Sequence, residues 1–596
     1  MRVCDIIAKF IYDSGVEDVF TVTGGGAMFL DDGLACNKDL NVICCHHEQA
    51  VAMAATAYAK YRGLGCGIVT TGCGATNAIT GVLNAWQDNT PCIFIAGQCK
   101  TNEIISSVDV PIRQFGIQEA DSVTIAKSIT KYAEMIMKPE DTLYHLEKAL
   151  YLAKHGRPGP VWIDVPMDVQ QAHVDLEKMR HFSEDEIDET LKIEAEEEEI
   201  HAIMEKLNHA ERPIILAGQG IRLSGSLERF YQFVEENRIP VVSARMGTDV
   251  LPTAHELCIG RIGNKGTRAG NFAIQNADFI LSLGCRLSIS TTGYAYDLFA
   301  REAELYVVDI DPYEHKKNTV KITREINADV KDVLNKLEKI SNPHLEDWLK
   351  KCQQWKKDYP VCTKEHYASE DGISMYAFMN ELSAKLKPDS VVVTDAGSAV
   401  YVPAQGILTT TREQRYITSG GQAEMGFTLP ATVGVSVARG KNEVFGITGD
   451  GSFQMNIQEL QTIAYNQLPV KLFVWNNDGY LSIRDTQTRI FDGRYLGTDA
   501  TCGVSFPDLE KIAYAYGLKY VKIEKSEELG EMIDEVLAHE GPVICDVHCI
   551  RDEKVLTAVT SKKMPDGSVI SLPIEDMKPF LDREEFYKNM IVKPIG

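Results

Sequence analysis

Three stretches of the chain alternate short, β-branched apolar runs with longer segments whose apolar residues recur at helical spacing. Continuous apolar runs of this length predict strands buried on both faces, which means parallel sheets covered by helices. In the first stretch the runs are DVFTV, GCGIVTT, PCIFIAG and PVWIDVP, separated by Ala-rich helical segments such as EQAVAMAATAYAKY. The second carries PIILAGQG, IPVVS, DFILSLG and LYVVDIDP; the third carries SVVVTDAG, EVFGITGDGS, VKLFVWNNDG and PVICDV. The expected fold class is α/β, with three doubly wound parallel-sheet domains over residues 1–175, 195–345 and 370–550. Glu196 to Glu199 read as a solvated linker entering a helix. Residues 551–596, with MPDGS and EDMKPF, read as a polar C-terminal tail, an extended appendage.

Composition narrows the class. Of 596 residues 44% are hydrophobic and 24% charged, which excludes collagen-like, disordered and disulfide-scaffold chains. A net charge of −24 repels phosphate backbones, so no nucleic-acid partner is expected. The longest uncharged stretch, Gly63 to Gln87, is too rich in Gly, Thr and Asn for a membrane helix. The opening MRVCDIIAKF, interrupted by Asp5 and Lys9, predicts no signal peptide. Fifteen scattered cysteines read as reduced thiols in a cytoplasmic enzyme. Cys545-Asp-Val-His548-Cys549 lacks a second ligand pair and reads as a buried strand, not a metal centre.

The chemistry concentrates in the third stretch. Gly449-Asp450-Gly451-Ser452 follows the run EVFGIT, and Asn476-Asn477 follows VKLFVW, with Asn477 27 positions after Asp450. That spacing fits one strand–helix–strand crossover and sets both polar groups at the carboxyl ends of neighbouring parallel strands, where open α/β sheets bind ligands. A carboxylate, an amide oxygen and a nearby carbonyl suit Mg²⁺. The glycines and Ser452 open the next helix, whose N–H groups suit a diphosphate. In the second stretch, Gly218-Gln-Gly220 ends a strand where a nucleotide phosphate could approach the backbone. No G-x-G-x-x-G follows a strand with an acidic residue about 20 positions on, which disfavours a plain dehydrogenase.

GDGS followed by NN at this spacing resembles the thiamine-diphosphate motif. Across nearly the whole chain the sequence resembles the acetohydroxyacid (acetolactate) synthase large-subunit family, through HHEQAVAMAATAYAK, GCGATNAITGVLNAW, HGRPGPVWIDVP, QNADFILSLGCRL and TSGGQAEMGFTLPATVG. The resemblance implies a pyrimidine-binding first domain, a Rossmann-like central domain and a diphosphate-binding third domain. It makes Glu48 the carboxyl group that shifts the aminopyrimidine to its imino tautomer. It makes Met425 the apolar wedge under the bent cofactor and Ala423 the carbonyl that holds its amino group. Asp450 and Asn477 become side-chain ligands of Mg²⁺, with the Gly479 carbonyl a third; Gly449, Gly451 and Ser452 flank the diphosphate. The implied reaction decarboxylates a 2-oxo acid, pyruvate above all, and transfers a two-carbon unit to a carbonyl acceptor. The first and third domains would meet across two chains, giving a homodimer or homotetramer.

The likeness thins on the acceptor side. Ile117-Gln118-Glu119 keeps the family's Gln118 but loses its aromatic residue; Gly24-Gly25-Gly26 replaces Pro-Gly-Gly; Ser482 and Thr486 stand where the family has Met and Trp. Smaller, more polar lining implies a larger, more polar acceptor such as an oxo-sugar. Arg157, Gly218, Gly220, Arg286, Asp309 and Asp329 match positions that touch FAD, whereas Asn264-Lys265-Gly266 replaces Met-His-Gly and Ser288-Ile289-Ser290 replaces Asp-Asp-Arg. FAD, ADP or neither stays open. So do two other functional readings, a non-ligating 2-oxo acid decarboxylase and a non-catalytic nucleotide-binding or regulatory paralogue.

Overall fold

The computed structural model describes residues 1–187, 193–563 and 569–595; the segment MPDGS lies outside the described residues. Three six-stranded, all-parallel sheets follow one another along the chain. The first contains β1 (Asp18–Thr21), β2 (Asn41–Cys44), β3 (Gly65–Val69), β4 (Cys92–Gln98), β5 (Ala133–Met135) and β6 (Val161–Pro166). The second contains β7 (Pro213–Ala217), β8 (Val241–Ser243), β9 (Cys258–Arg261), β10 (Phe279–Leu283), β11 (Glu304–Asp309) and β12 (Arg324–Asn327). The third contains β13 (Val391–Thr394), β14 (Arg415–Thr418), β15 (Val444–Gly449), β16 (Val470–Asn476), β17 (Lys519–Ile523) and β18 (Val543–His548).

The orders are β2-β1-β3-β4-β6-β5, β12-β11-β10-β7-β8-β9 and β14-β13-β15-β16-β18-β17. The first and third sheets therefore share one topology, and the central sheet has the dinucleotide-binding order. The orders reverse between β1 and β3, between β7 and β10, and between β13 and β15; the first and third step back again at the edge strands β5 and β17. The twelve apolar runs of the sequence are the four inner strands of each sheet. The edge strands β2, β5, β9, β12, β14 and β17 complete them. Several edge strands expose residues, as at Asn41, Glu134, Glu325 and Lys519, so they lack the continuous apolar pattern of a strand buried on both faces.

The first and third domains share one apolar core, in which Val82 and Phe94 pool with Leu429, Val433 and Val470. Its centre is the helix Glu48–Arg62, buried throughout from Ala50 to Ala59. Its alanines let two other helices approach closely. A Cβ at Gly81 would lie 2.5 Å from the Ala52 Cβ, and one at Gly434, in the helix Thr428–Ala438, would lie 2.1 Å from the Ala54 carbonyl oxygen. A helix that is apolar all round must be buried in this way.

The central domain has its own core, to which the tail contributes. This corrects the expectation of an extended appendage. Ile574, Met577, Phe586 and Val592 are buried, and the fully buried Glu575 carboxylate accepts from Gln275 Nε2 at 2.6 Å and from Arg301 at 2.8 Å. Well-spaced single apolar residues are enough to seat a polar segment on a sheet-covering helix. The acidic run caps and opens the helix Glu197–His209. Gly63 to Gln87 becomes β3 and the helix Cys73–Gln87, and among the described residues no helix is long and apolar enough to cross a membrane.

Candidate active site

All three reversal points carry residues singled out in the sequence. In the third sheet, Gly449 ends β15 and Asp450 opens the short helix Asp450–Met455. Asp450 Oδ1 accepts from the Gly451 N–H at 2.7 Å, and Oδ2 accepts from the Gly479 N–H at 2.9 Å, which ties the β15 turn to the β16 turn. Burial pushes this carboxyl up to about 6 against those backbone donors, a penalty that a bound cation would offset. Asn477 is buried beside it, and among the described residues its side-chain amide has no hydrogen-bond partner. Gly479 adopts φ +133° where a Cβ would lie 2.1 Å from the Thr498 carbonyl oxygen, so only glycine fits the turn. One carboxylate, one amide oxygen and one carbonyl form a hard-oxygen donor set that fits Mg²⁺ with part of its shell left for phosphate and water.

The switch partner of Asp450 is Asp395, directly after β13, which the sequence reading passed over. Its Oδ2 accepts from the hydroxyls of Ser452 at 2.5 Å and Thr448 at 2.9 Å. Ser452 in turn accepts from the Gly426 N–H at 2.7 Å, so its side chain fixes the loop carrying Ala423 and Met425. Ala423 is held at φ +52°, its N–H donating to Ser419 Oγ at 2.9 Å. Gly451 is covered by the ring of Tyr480, whereas a Cβ at Gly449 would meet open space.

In the first sheet, Glu48 is the first residue of the helix Glu48–Arg62, whose N-cap His47 accepts from the Gln49 N–H. Glu48 is 9% exposed; its Oε2 accepts from Asn77 Nδ2 at 3.0 Å. Its Oε1 lies 3.4 Å from where a Gly74 Cβ would be. Gln118, at φ +60°, sits on the same rim, because a Cβ at Gly72 would lie 1.8 Å from its carbonyl oxygen. Glu119 pins that loop by accepting from the N–H groups of Ile105, Phe115 and Gly116. Thus Glu48 and Gln118 gather at one edge and Asp450, Asn477, Ser452 and Met425 at another. Among the described residues no hydrogen bond or ion pair joins the two groups within the chain. Links between the domains run from Asn456 to Gln49 at 3.0 Å, from the His46 N–H to Glu459 at 3.1 Å, and from Asn84 to Glu424, between Ala423 and Met425, at 2.7 Å.

The third reversal point lines a cavity of about 390 Å³ that collects Arg157, Gly218, Gly220, Arg286, Asp309 and Asp329. Gly218 and Gly220 are required by close packing of two turns, since a Cβ on Gly218 would lie 2.1 Å from the Gly284 carbonyl oxygen. Arg157 is engaged by Asp311 at 2.7 Å and Glu314 at 2.8 Å, and Arg286 donates to the Gln87 carbonyl at 3.1 Å. Burial pushes Asp309 and Asp329 upward; Asp329 also caps the helix Val330–Lys336. Cys545 and Cys549 are buried thiols in and beside β18.

The sequence missed Asn77, Asp395 and Arg245, which also lines the cavity. Asp395 carries a signal that could have found it: like Asp450, it is a polar residue immediately after an apolar strand run.

Three family models match the chain in order. They are the thiamine pyrophosphate enzyme N-terminal TPP binding domain over residues 1–124, the central domain over 200–337 and the C-terminal TPP binding domain over 395–547. A probable acetolactate synthase large subunit of Methanocaldococcus jannaschii is 32% identical over 561 residues, 92% of each chain. The acetolactate synthase isozyme 2 large subunit of Escherichia coli is 32% identical over 546 residues, 89% of this chain and 93% of its own. The acetolactate synthase large subunit of Lactococcus lactis is 31% identical over 567 residues, 93% of each. The chain therefore belongs to the acetolactate synthase large-subunit family of thiamine pyrophosphate enzymes.

Proposed function

We propose that this chain, with thiamine diphosphate and Mg²⁺, decarboxylates a 2-oxo acid, pyruvate first, and transfers the two-carbon remainder to a carbonyl acceptor. The observation that carries the reading is the pair of matching edges. One sheet presents Glu48 with a single free oxygen; the sheet of identical topology presents Asp450, Asn477 and Gly479. The bound cofactor supplies the electron sink for decarboxylation. Asn77 holds Glu48 Oε2, leaving Oε1 to share a proton with a ring nitrogen. Asp450, Asn477 and the Gly479 carbonyl hold the metal, and Ser452, locked to Asp395, keeps Met425 and Ala423 in register. Two copies would complete each site, the edge of one chain facing that of the other. The exposed Phe115 and Ile117 on one rim and Ile483 and Phe491 near the other support this arrangement.

The central cavity falls in the size range of small-molecule pockets. Asp309 and Asp329 suit ribose hydroxyls, which supports a nucleotide there, either FAD or ADP. Release of either from the purified protein by acid checks this; release of neither sinks it. An oxo-sugar acceptor rests on the smaller or more polar residues at Gly24, Ile117, Ser482 and Thr486. The activity is tested by incubation with pyruvate, Mg²⁺ and thiamine diphosphate. Cofactor-dependent CO₂ release with a condensed product supports a ligase, and acetaldehyde alone contradicts it.

A further inference from the structure

The segment from Ser419 to Phe427 carries Ala423 and Met425 but contains neither helix nor strand, so side chains must hold it in place. Ala423 sits at φ +52°, a strained conformation for a residue with a Cβ, and needs fixing by its surroundings. Two fastenings come from the third domain itself: the Gly426 N–H donates to Ser452 Oγ at 2.7 Å, and Asn456 Nδ2 donates to the Gly426 carbonyl at 2.8 Å. Others come from the first domain. Asp88 accepts from the N–H groups of Gly420 and Gly421 at 2.9 and 2.7 Å. Asn84 Nδ2 donates to Ser419 Oγ and to Glu424 Oε1, both at 2.7 Å. Ser419 Oγ accepts from the Ala423 N–H at 2.9 Å and donates to Glu424 Oε2. Asn84, Ser419 and Glu424 thus close a ring of hydrogen bonds around the backbone of Ala423.

Glu424 is the single ionisable residue in this segment. The charged groups that face it are Lys60, on the helix Glu48–Arg62, and Asp88, just past the helix Cys73–Gln87, and these two pair with each other at 2.6 Å. Lys60 Nζ also donates to Asn84 Oδ1 at 3.3 Å and to the Thr418 carbonyl at 2.8 Å. Further out, Arg415 donates to the Lys60 carbonyl at 3.2 Å and pairs with Asp249 at 2.7 Å. Arg245 and Arg286 of the central domain reach the Gly420 and Gln87 carbonyls, each at 3.1 Å. Among the described residues Glu424 forms no ion pair. Its ionisation adds a charge that Lys60, already engaged by Asp88, does not offset. Burial, which pushes this carboxyl up to about 7, favours the protonated form in the closed joint. A loop that carries the carboxylate out into water has the opposite preference, so rising pH draws the loop away from the joint.

We propose that Glu424 is a positioning residue for the cofactor: protonated, it fastens Ala423 and Met425 to Asn84 of the first domain, and ionised, it lets them go. This rests on the activity proposed above and adds a control on how tightly the same site holds thiamine diphosphate. Glu424 acts through Ser419, whose oxygen holds the Ala423 N–H. A wedge and a carbonyl that are already in place when the cofactor arrives bind it without an ordering cost, and a loosened loop must be ordered first.

The test titrates thiamine diphosphate calorimetrically into the full-length protein with saturating Mg²⁺, native and Glu424→Gln, at about pH 6 and about pH 8.5. Glutamine keeps an accepting oxygen and cannot ionise. The cofactor's own ionisations act on both proteins alike, so the ratio of native to variant Kd is the quantity read. It should lie near unity at the lower pH and rise about tenfold or more at the higher. A ratio that does not change with pH overturns the proposal. Hydrogen exchange of a peptide spanning Ser419 to Phe427, corrected for the intrinsic rate at each pH, needs neither cofactor nor variant and covers a Glu424→Gln protein that does not fold. Its protection in native protein should fall about tenfold between the two pH values while a β13 peptide keeps its own; equal protection at both overturns the proposal. Thiamine diphosphate that binds at neither pH would contradict the functional reading, and the fastening by Glu424 would then stand or fall on the exchange alone.

Discussion

At the scale of single residues, Glu48 is fixed by a neighbour that leaves part of the group free. Glu48 gives one oxygen to Asn77 and keeps the other. Glu48→Gln should therefore lower kcat for CO₂ release by about a hundredfold or more, with KM for the 2-oxo acid much less affected, in steady-state assays at saturating cofactor. A second carboxyl, Glu424, tests the joint between the first and third domains. It accepts from Asn84 at 2.7 Å and from the Ser419 hydroxyl, and burial pushes it up to about 7. Its folded value lies above the unfolded one. The stability it contributes is therefore present below the ordinary carboxylate range and is lost as pH rises through about 7. Glu424→Gln should raise the melting temperature by roughly 3 °C near pH 8 and by almost nothing near pH 5, by calorimetry at both pH values. Of these residues, Glu48, Asp450 and Asn477 were legible because they sit beside apolar runs in an ordered motif series. Asn77 and Glu424 were not, because their partners are 29 and 340 residues away in the chain.

At the scale of elements, the parallel sheets were legible wherever strands are covered on both faces, since burial there writes an uninterrupted apolar run. Edge strands have one side open and expose residues such as Asn41 and Lys519, which erases the run. The Ala-rich helix Glu48–Arg62 carries a further element-level property, closeness of approach. Gly434→Ala sets a methyl against the Ala54 carbonyl, 2.1 Å away, and must displace one helix from the other. It should cost about 1–3 kcal/mol in denaturant unfolding; an unchanged midpoint would show that the helices separate freely.

For the whole molecule, the repeated topology matters more than any one motif. Two sheets of identical order bring complementary edges, and the central sheet adds a cavity at its own reversal point. On the proposed function, the separation of Glu48 from Asp450 within a chain calls for a second copy. Sedimentation should give a mass two or four times the 66.2 kDa of one chain, and Phe115→Glu should shift it toward one. The polar tail was the least legible region. Its apolar residues are too sparse to form a period, yet Phe586 and Ile574 reach the central core.

The most direct test of the account follows carbon from labelled pyruvate in the presence of Mg²⁺, with and without thiamine diphosphate, in native protein and Glu48→Gln. The account predicts cofactor-dependent label in CO₂ and in a condensed product, both lost in the variant. Label released without the cofactor, or equal turnover in Glu48→Gln, would contradict it.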